Sequence, residues 1–310
     1  MSRAFGLLVK ARARLYESGI LPTRRLSYPV ISVGNLTLGG TGKTPIVIAI
    51  AEQLRDRGFR PVILSRGYRR VSRGIVIAES DWEQCGDEPM LMKQRLGNVP
   101  VVVGADRYEA GLVAQQKQSG NIFILDDGFQ HRHLHRDFDI VSIDPIEWAE
   151  GEALLPAGRW REPKSAIARA HAACVQEIEG VPGPDLSVPT FAVRTEIEGI
   201  YKDGAEVPVA TLNGRRIVAF GGIAKPERFF MAVRSMGIQP AECVHFADHH
   251  RYSTRELEKL GGELLLTTEK DAVRLHGLTS RPFCYLRISA KIRAFEELMG
   301  LILRKCFTGR

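Results

Sequence analysis

The sequence predicts an α/β protein whose parallel sheet is covered by helices on both faces, and three observations predict it. Short apolar runs rich in β-branched residues alternate with segments of helical apolar spacing. A glycine-rich stretch, Val33-Gly34-Asn35-Leu36-Thr37-Leu38-Gly39-Gly40-Thr41-Gly42-Lys43-Thr44-Pro45, joins one such run to one such helix. An acidic pair, Asp126 and Asp127, closes another apolar run. Continuous apolar strands separated by helices are the mark of a parallel sheet buried on both sides.

Taken in order, "YPVISVGN" reads as a strand, and "TPIVIAIAEQLRDRG" as a helix with Gly58 as its C-cap. "RPVILSRGY" is a strand ending in a turn, "PMLMKQRLG" a helix, "VPVVVG" a buried strand and "DRYEAGLVAQQKQSG" a helix. "NIFILDDG" and "FDIVSID" are strands again. From about 180 to 212 the pattern shifts to Pro- and Gly-rich turns and short alternating runs such as "PTFAVRTEIEGIYKDG". A second βα series follows in "RRIVAFGGIAKPERFFMAVRSMG", "AECVHFADHH", "LLLTTEKDAVRL" and "PFCYLRI". The expected organisation is an N-terminal segment at 1–25, a main domain at 26–180, a β linker at 181–212 and a smaller C-terminal α/β domain at 213–310. A chain of 310 residues suits about two domains at roughly 150 residues each.

Composition narrows the class. With 44% hydrophobic and 25% charged residues the chain is neither disordered nor fibrous. Five widely spaced cysteines without a CxxC pair imply reduced thiols, not a disulfide frame. No apolar run approaches the roughly 20 residues that span a bilayer, and the N-terminus lacks the apolar core of a secretion signal. The net charge of +7 is concentrated at one end, where residues 1–25 hold six basic side chains and one acid, Glu17. Phe5, Leu7, Leu8, Val9, Leu15, Tyr16, Ile20 and Leu21 interleave with those charges at helical spacing. A basic amphipathic helix on an anionic membrane fits, and so does a helix packed on its own protein. No basic and aromatic pattern recurs elsewhere, which argues against a nucleic-acid partner.

The glycine-rich stretch meets the physical requirements of a phosphate loop of the P-loop NTPase type. It has a strand, a small-residue turn whose N–H groups can face an anion, and a helix presenting its positive end. Gly39, Gly40, Thr41 and Gly42 form the turn, Lys43 reaches the β- and γ-phosphates, and Thr44 offers a hydroxyl to Mg²⁺. The pattern GxxxxGK[ST] asks for glycine at 37, where Thr37 stands. Asp126 and Asp127 sit where a magnesium-side acid belongs. "CGDEP" sets Asp87 and Glu88 ahead of a helix, and "LLPAGRWREP" offers Arg159 and Arg161 in a loop suited to phosphate. "HFADHHRY" and "HRHLHRDFD" are histidine-rich without metal-ligand spacing.

Together "VISVGNLTLGGTGKTP", "LSRGYRR", "GDEPMLM", "VGADR", "LDDGFQH", "LPAGRWREP", "FADHHRY" and "TTEKDAVRL" resemble the tetraacyldisaccharide 4′-kinase family of lipid A biosynthesis, in order from residue 30 to 275. The resemblance implies an ATP- and Mg²⁺-dependent lipid kinase. Its acceptor would be the 4′-hydroxyl of a tetraacyl glucosamine disaccharide 1-phosphate, and its product the lipid A precursor lipid IVA. It implies Lys43 and Thr44 in the phosphate loop, Asp126 and Asp127 as the acidic pair near the metal, and Glu88 beside it. It further implies Asp87 as acceptor of the hydroxyl proton, His249 as its partner from the second domain, and Arg107, Gln130 and Arg159 lining the site. The family's apolar-basic N-terminal segment implies a peripheral or monotopic place on the cytoplasmic face of the bacterial inner membrane, with no obligate protein partner. The rival reading is a membrane-associated P-loop switch ATPase or GTPase. Such loops carry lysine where Leu38 stands, and no NKxD motif is present.

Overall fold

The computed structural model describes residues 2–275 and 277–308. Helix α1 (Ser2–Glu17) precedes β1 (Val30–Gly34), α2 (Lys43–Asp56), β2 (Pro61–Ser65), the short β3 (Val76–Ile77) and α3 (Trp82–Cys85). Then come α4 (Asp87–Leu96), β4 (Val101–Val103), α5 (Arg107–Gln116), β5 (Ile122–Asp126), β6 (Phe138–Ile143), α6 (Pro145–Ala149) and β7 (Ala172–Gln176). The long β8 (Thr190–Lys202) and β9 (Ala205–Val207) lead to β10 (Ile217–Gly221), α7 (Pro226–Ser235) and β11 (Glu242–His245). The chain closes with α8 (Thr254–Lys259), β12 (Leu264–Thr268), α9 (Glu269–Leu275), β13 (Phe283–Ile292) and α10 (Phe295–Phe307).

All strands join one mixed, mostly parallel sheet in the order β11-β10-β12-β13-β8-β7-β6-β1-β5-β2-β4-β3, with β9 paired to β8. Alternation along each strand builds the two faces. Ile31, Val33, Ile63, Val101, Val103, Ile122 and Ile124 pack on one face with α2, α4 and α10, while Val30, Val62, Leu64, Val102, Phe123 and Leu125 face α5 on the other. In the second half Ile217 and Ala219 pack under α7, and Val218 and Phe220 pack against the opposite layer with Leu257 and Leu275.

Two features tie the halves. The first residues of β8 pair in parallel with β7, and the remainder pairs antiparallel with β13, so this 13-residue strand joins the two parallel runs. Helix α10 returns to the first half, where Leu298, Met299, Ile302 and Cys306 share a core with Ile31 and Ile46. Arg57 clamps Glu296 at its start, with Nη2–Oε2 at 2.6 Å. Arg95 of α4 bonds Glu198 of β8 and Glu269 of α9 at 2.8 and 3.0 Å, adding a polar seam across the same junction.

Candidate active site

The carboxyl ends of parallel strands are where open α/β sheets place ligands. Here β1 lies between β5 and β6, and Val33 is in register with Asp126, which brings the start of the glycine-rich loop beside the acidic pair. The loop spans residues 35–42, and α2 begins at Lys43 with no acidic residue in its first turn. Its positive end therefore faces the loop unopposed. Gly42 has φ +80°, and a Cβ there would meet Gln176 Nε2 at 2.7 Å. Gln176 Nε2 and Ser142 Oγ both donate to the Thr41 carbonyl, fixing the loop from behind.

Thr37 answers the departure from the usual glycine. Positive φ falls at Gly39 and Gly42, not at 37. Thr37 is buried, and its Oγ1 donates to Glu147 Oε2 at 2.8 Å. The residue braces the base of the loop and takes no space from the phosphate cradle.

Asp126 and Asp127 have opposite environments. Asp127, in a left-handed turn at φ 51°, meets Lys43 Nζ at 3.4 Å and Arg161 Nη1 at 2.8 Å. Burial pushes its carboxyl up, but Lys43 and Arg161 outweigh burial and hold it at about 2. Asp126 is buried, takes a bond from Ser65 Oγ at 2.9 Å and leaves Oδ1 without a partner. Burial, helped by the Glu88 and Asp127 carboxylates, pushes it up to about 7. A buried carboxylate with an orphaned oxygen beside a second carboxylate fits a hard cation. Among the described residues no group of three or more His, Cys, Asp and Glu could hold a metal by itself, and magnesium ordinarily completes its shell with water and substrate phosphate.

The second corner of the site is built across the two halves. Asp87 starts α4, and its Oδ2 lies 2.8 Å from His249 Nδ1, a contact spanning 162 residues. Its Oδ1 accepts from the Glu88 N–H at 2.9 Å, and Arg274 Nη1 lies 3.7 Å from Oδ2. Burial again pushes the carboxyl up, and His249, Lys270 and Arg274 overrule it to hold Asp87 at about 2. His249 sits at φ 57° in a turn after β11, where its N–H donates to the Gly222 carbonyl and Tyr68 meets its ring edge-on at 5.1 Å. Lys270, at the start of α9, donates to Glu88 Oε1 at 3.0 Å and lies 3.2 Å from His249 Nε2. Burial pushes the Lys270 ammonium down, and the carboxylates of Glu88, Asp87 and Asp248 together carry it above its usual range.

A cleft of about 1430 Å³ takes in both corners. Residues 39–44, Asp126, Asp127, Glu88, Gln130, His249 and Lys270 line it, as do Phe5, Leu8 and Val9 of α1. Asp87 stands one side chain behind His249 and off the wall. Gln130 Nε2 donates to the Asn35 carbonyl at 2.8 Å and braces the loop start. Two arginines expected to line the site hold backbone carbonyls beside it, Arg107 near Asp126 and Asp127 and Arg159 against Gly39. Arg107 is buried with Nη1 donating to the Ala105 carbonyl at 2.7 Å, and Arg159 Nη2 donates to the Leu38 carbonyl at 2.8 Å. The arginine of that loop on the cleft wall is Arg161, two residues on. Lys270 and Arg274 were not singled out from the sequence; their signal is a cation just past the carboxyl end of a parallel strand in "LLLTTEKDAVRL".

Helix α1 is both packed and exposed. Arg12 donates to the Gln130 carbonyl at 3.2 Å and Arg132 to that of Ala13 at 3.2 Å, yet Leu7 and Leu8 are each 69% exposed. No helix among the described residues is long and apolar enough to cross a membrane.

Comparison with known proteins gives a consistent result. The family model described as tetraacyldisaccharide-1-P 4′-kinase matches residues 1–306. The tetraacyldisaccharide 4′-kinase of Koribacter versatilis is 38% identical, covering 98% of each chain. That of Aquifex aeolicus is 40% identical over 96% of this chain and 94% of its own. Among solved structures, the "apo" form of LpxK from Aquifex aeolicus in complex with ATP superposes with a TM-score of 0.86, 39% identity, and coverage of 99% of this chain and 97% of that one.

Proposed function

The chain belongs to the tetraacyldisaccharide-1-P 4′-kinase family, and from that premise we propose that its cleft passes the γ-phosphoryl group of ATP to the 4′-hydroxyl of a tetraacyl glucosamine disaccharide 1-phosphate. The observation that carries this reading is the meeting of two chemistries in one cleft: a phosphate loop with Lys43 and Thr44, and a carboxylate–histidine pair drawn from both halves of the chain. The ATP held by the Aquifex aeolicus relative supports ATP as the donor.

In this reading residues 39–42 cradle the phosphates with backbone N–H groups, and Lys43 offsets charge on the transferring group. Asp127 holds Lys43 in place, and Arg161 holds Asp127. Asp126, Glu88 and Thr44 would hold magnesium, which when bound neutralises charge on the phosphate oxygens. The acceptor oxygen forms its bond to phosphorus as the bond to the ADP oxygen breaks, and the hydroxyl proton passes to the Asp87–His249 pair, whose ring lines the cleft while its carboxylate is buried behind it. In a loose transfer the hydroxyl proton becomes acidic only as the new bond forms, so a modest base suffices.

Helix α1 rests on the cytoplasmic face of the inner membrane in this reading, with Leu7 and Leu8 toward the acyl region and its basic residues at anionic headgroups. Its apolar residues line one end of the cleft, which gives a lipid acceptor a path to the phosphate loop without leaving the surface. The deciding experiment is ADP release with ATP and Mg²⁺, with and without the lipid disaccharide 1-phosphate in mixed micelles. Acceptor-dependent release, with phosphate found on the 4′-oxygen, is expected. Equal release without acceptor would replace the kinase reading with a switch ATPase.

A further inference from the structure

We propose that the tip of the loop between β2 and β3, residues 70–75, is a second membrane-contact element, which enters the headgroup layer of an anionic bilayer through Val71, Arg73 and Ile75. This goes beyond the kinase reading above and does not depend on it.

The loop, Arg66-Gly67-Tyr68-Arg69-Arg70-Val71-Ser72-Arg73-Gly74-Ile75, holds four arginines and no acid. Its first part belongs to the site, since Arg66, Tyr68 and Arg69 line the cleft. The tip does not. Val71, Arg73 and Ile75 stand off the cleft wall, with Val71 55% and Ile75 38% exposed. Among the described residues eleven large apolar side chains are exposed. Four are Leu7, Leu8, Leu15 and Ile20, and three are Tyr68, Val71 and Ile75, so most of that surface gathers on two segments.

The tip is built, not loose. The Val71 N–H donates to the Glu83 carbonyl at 2.7 Å, and Ser72 Oγ donates to that of Gln84. Arg70 bridges the Val103 and Gly74 carbonyls at 3.3 and 2.6 Å, which uses its donors and leaves its charge uncancelled. Bonds along the loop thus hold a valine and an isoleucine out in solvent, where apolar surface is unfavourable without a cover. The charge around them says what the cover is. An apolar tip among arginines suits the boundary between acyl chains and anionic headgroups. The acids that follow in sequence do not cancel that charge. Glu83 faces Arg251 at 3.7 Å, Asp81 caps α3, and β3 runs antiparallel to β4 and so carries Glu79 away from the rim.

The sheet sets this loop and α1 on one side of the molecule. The loop leaves the carboxyl end of β2, and Ile75 packs beside Gly104 just past β4, where a Cβ would meet Ile75 Cγ1 at 3.3 Å. Helix α1 is fastened through Arg12 and Arg132 to residues beyond the carboxyl end of β5. Strand β2 lies between β5 and β4, parallel to both. Both segments therefore sit at one edge of the sheet and border one cleft, and a flat bilayer that meets one can meet the other. One weak anchor gives reversible binding and two give a stable seat, so α1 and the loop together hold the cleft mouth against the surface.

The test uses the full chain and vesicles of phosphatidylethanolamine and phosphatidylglycerol. Val71→Trp is read against the wild type, whose three tryptophans are common to both. Its emission should shift to the blue on binding and be quenched by lipids brominated in the upper acyl chain. Phe307→Trp is the control. Phe307 stacks on Phe59, just ahead of β2 at the opposite edge of the sheet, and a tryptophan there should emit as it does in water. The double variant Val71→Ser, Ile75→Ser should bind these vesicles about tenfold more weakly with an unchanged circular dichroism spectrum, as loss of one of two anchors predicts. Unshifted Val71→Trp emission on bound protein overturns the proposal, even where Leu7→Trp is quenched, because α1 is then the sole contact. Equal quenching at Phe307→Trp, full affinity in the double variant, or no binding by the wild type overturns it too. None of these readouts uses nucleotide, so failure of the kinase reading, seen as ADP release independent of acceptor, is distinct from failure here.

Discussion

The two corners of the cleft hold their charges in different ways. On the nucleotide side the groups come from short contiguous stretches, residues 39–44 and 126–127, delivered by neighbouring strands β1 and β5 of one parallel run. On the acceptor side Asp87 comes from the first half, and His249 and Lys270 from loops and helices beyond β11 and β12. The first corner is complete within its own half of the chain. The second exists only while the halves keep their relation, because its central contact joins residues 162 apart. Damage to the first should therefore strike ATP use wherever the acceptor is, whereas damage to the second should spare ATP binding and strike transfer.

The largest effect is expected at Lys43. Its ammonium pairs at 3.4 Å with Asp127, which keeps Arg161 at 2.8 Å when Lys43 is gone. Lys43→Ala should lower kcat about 10³-fold, as removal of a preorganised charge contact does, with an unchanged circular dichroism spectrum. Near-normal turnover would remove the phosphate-loop assignment and the contrast with it.

Next come Asp87 and His249, where the contrast predicts a different signature. Each alanine variant should lower kcat about 10²-fold or more while nucleotide binding, followed by titration calorimetry, stays near wild type. Two groups acting as one unit are non-additive, so the double variant should be little worse than the poorer single one. Multiplicative losses would dissolve the pair and leave His249 as a separate substrate contact.

What was legible follows the same division. The phosphate loop, Asp126 and the strands of the first parallel run could be read locally, because strand, turn and helix follow one another within some 30 residues. The pairing of Asp87 with His249 came only through family resemblance, since no spacing connects residues on separate halves. Arg159 and Arg161 share one legible loop, but nothing local says that Arg161 pairs with Asp127 while Arg159 holds the Leu38 carbonyl. The stretch at 181–212 reads as a β linker because Pro- and Gly-rich turns frame short alternating runs. In the fold β8 is polar at Arg194, Glu196 and Glu198, where it is exposed or half-buried, and its place mid-sheet comes from pairing with β13, some 90 residues on. Nonlocal pairing of that kind leaves no local trace.

A smaller effect separates the acceptor side from the nucleotide side without touching either set of charges. Deleting residues 1–20 removes Phe5, Leu8 and Val9 from the cleft and the exposed Leu7 from the surface. The protein should move from the membrane fraction to the soluble one, and KM for a micellar acceptor should rise about tenfold while KM for ATP stays put, as expected for lost interfacial binding. High salt should mimic part of this, because attraction of about 1 kcal/mol per basic residue is screened. Unchanged partitioning would show that α1 serves only to pack on its own protein.

The smallest effect probes the joint between the halves. Asp144, at the end of β6, has a fully buried carboxylate that meets Lys225 Nζ at 2.6 Å and Arg228 Nη2 at 2.8 Å, both from the second half. Burial pushes this carboxyl up, and Lys225 and Arg228 outweigh burial to hold it below its ordinary value of 3.8. The folded state thus binds fewer protons than the unfolded chain in the acid range. The ion pairs contribute stability that is fully present above the ordinary carboxylate value and drains away as pH falls through the depressed one. Asp144→Asn keeps an N-cap for α6 but not the charge. It should cost about 1–2 kcal/mol at pH 7, less than a fully enclosed pair, because Arg228 faces solvent and Lys225 keeps Glu147. Urea unfolding at pH 7 and near pH 3 would check the sign: the gap between wild type and variant should narrow on the acid side. Should the gap stay the same at both pH values, the charge at Asp144 is not what joins the halves, and the acceptor corner owes its geometry to the β8–β13 pairing, α10 and the Arg95 seam.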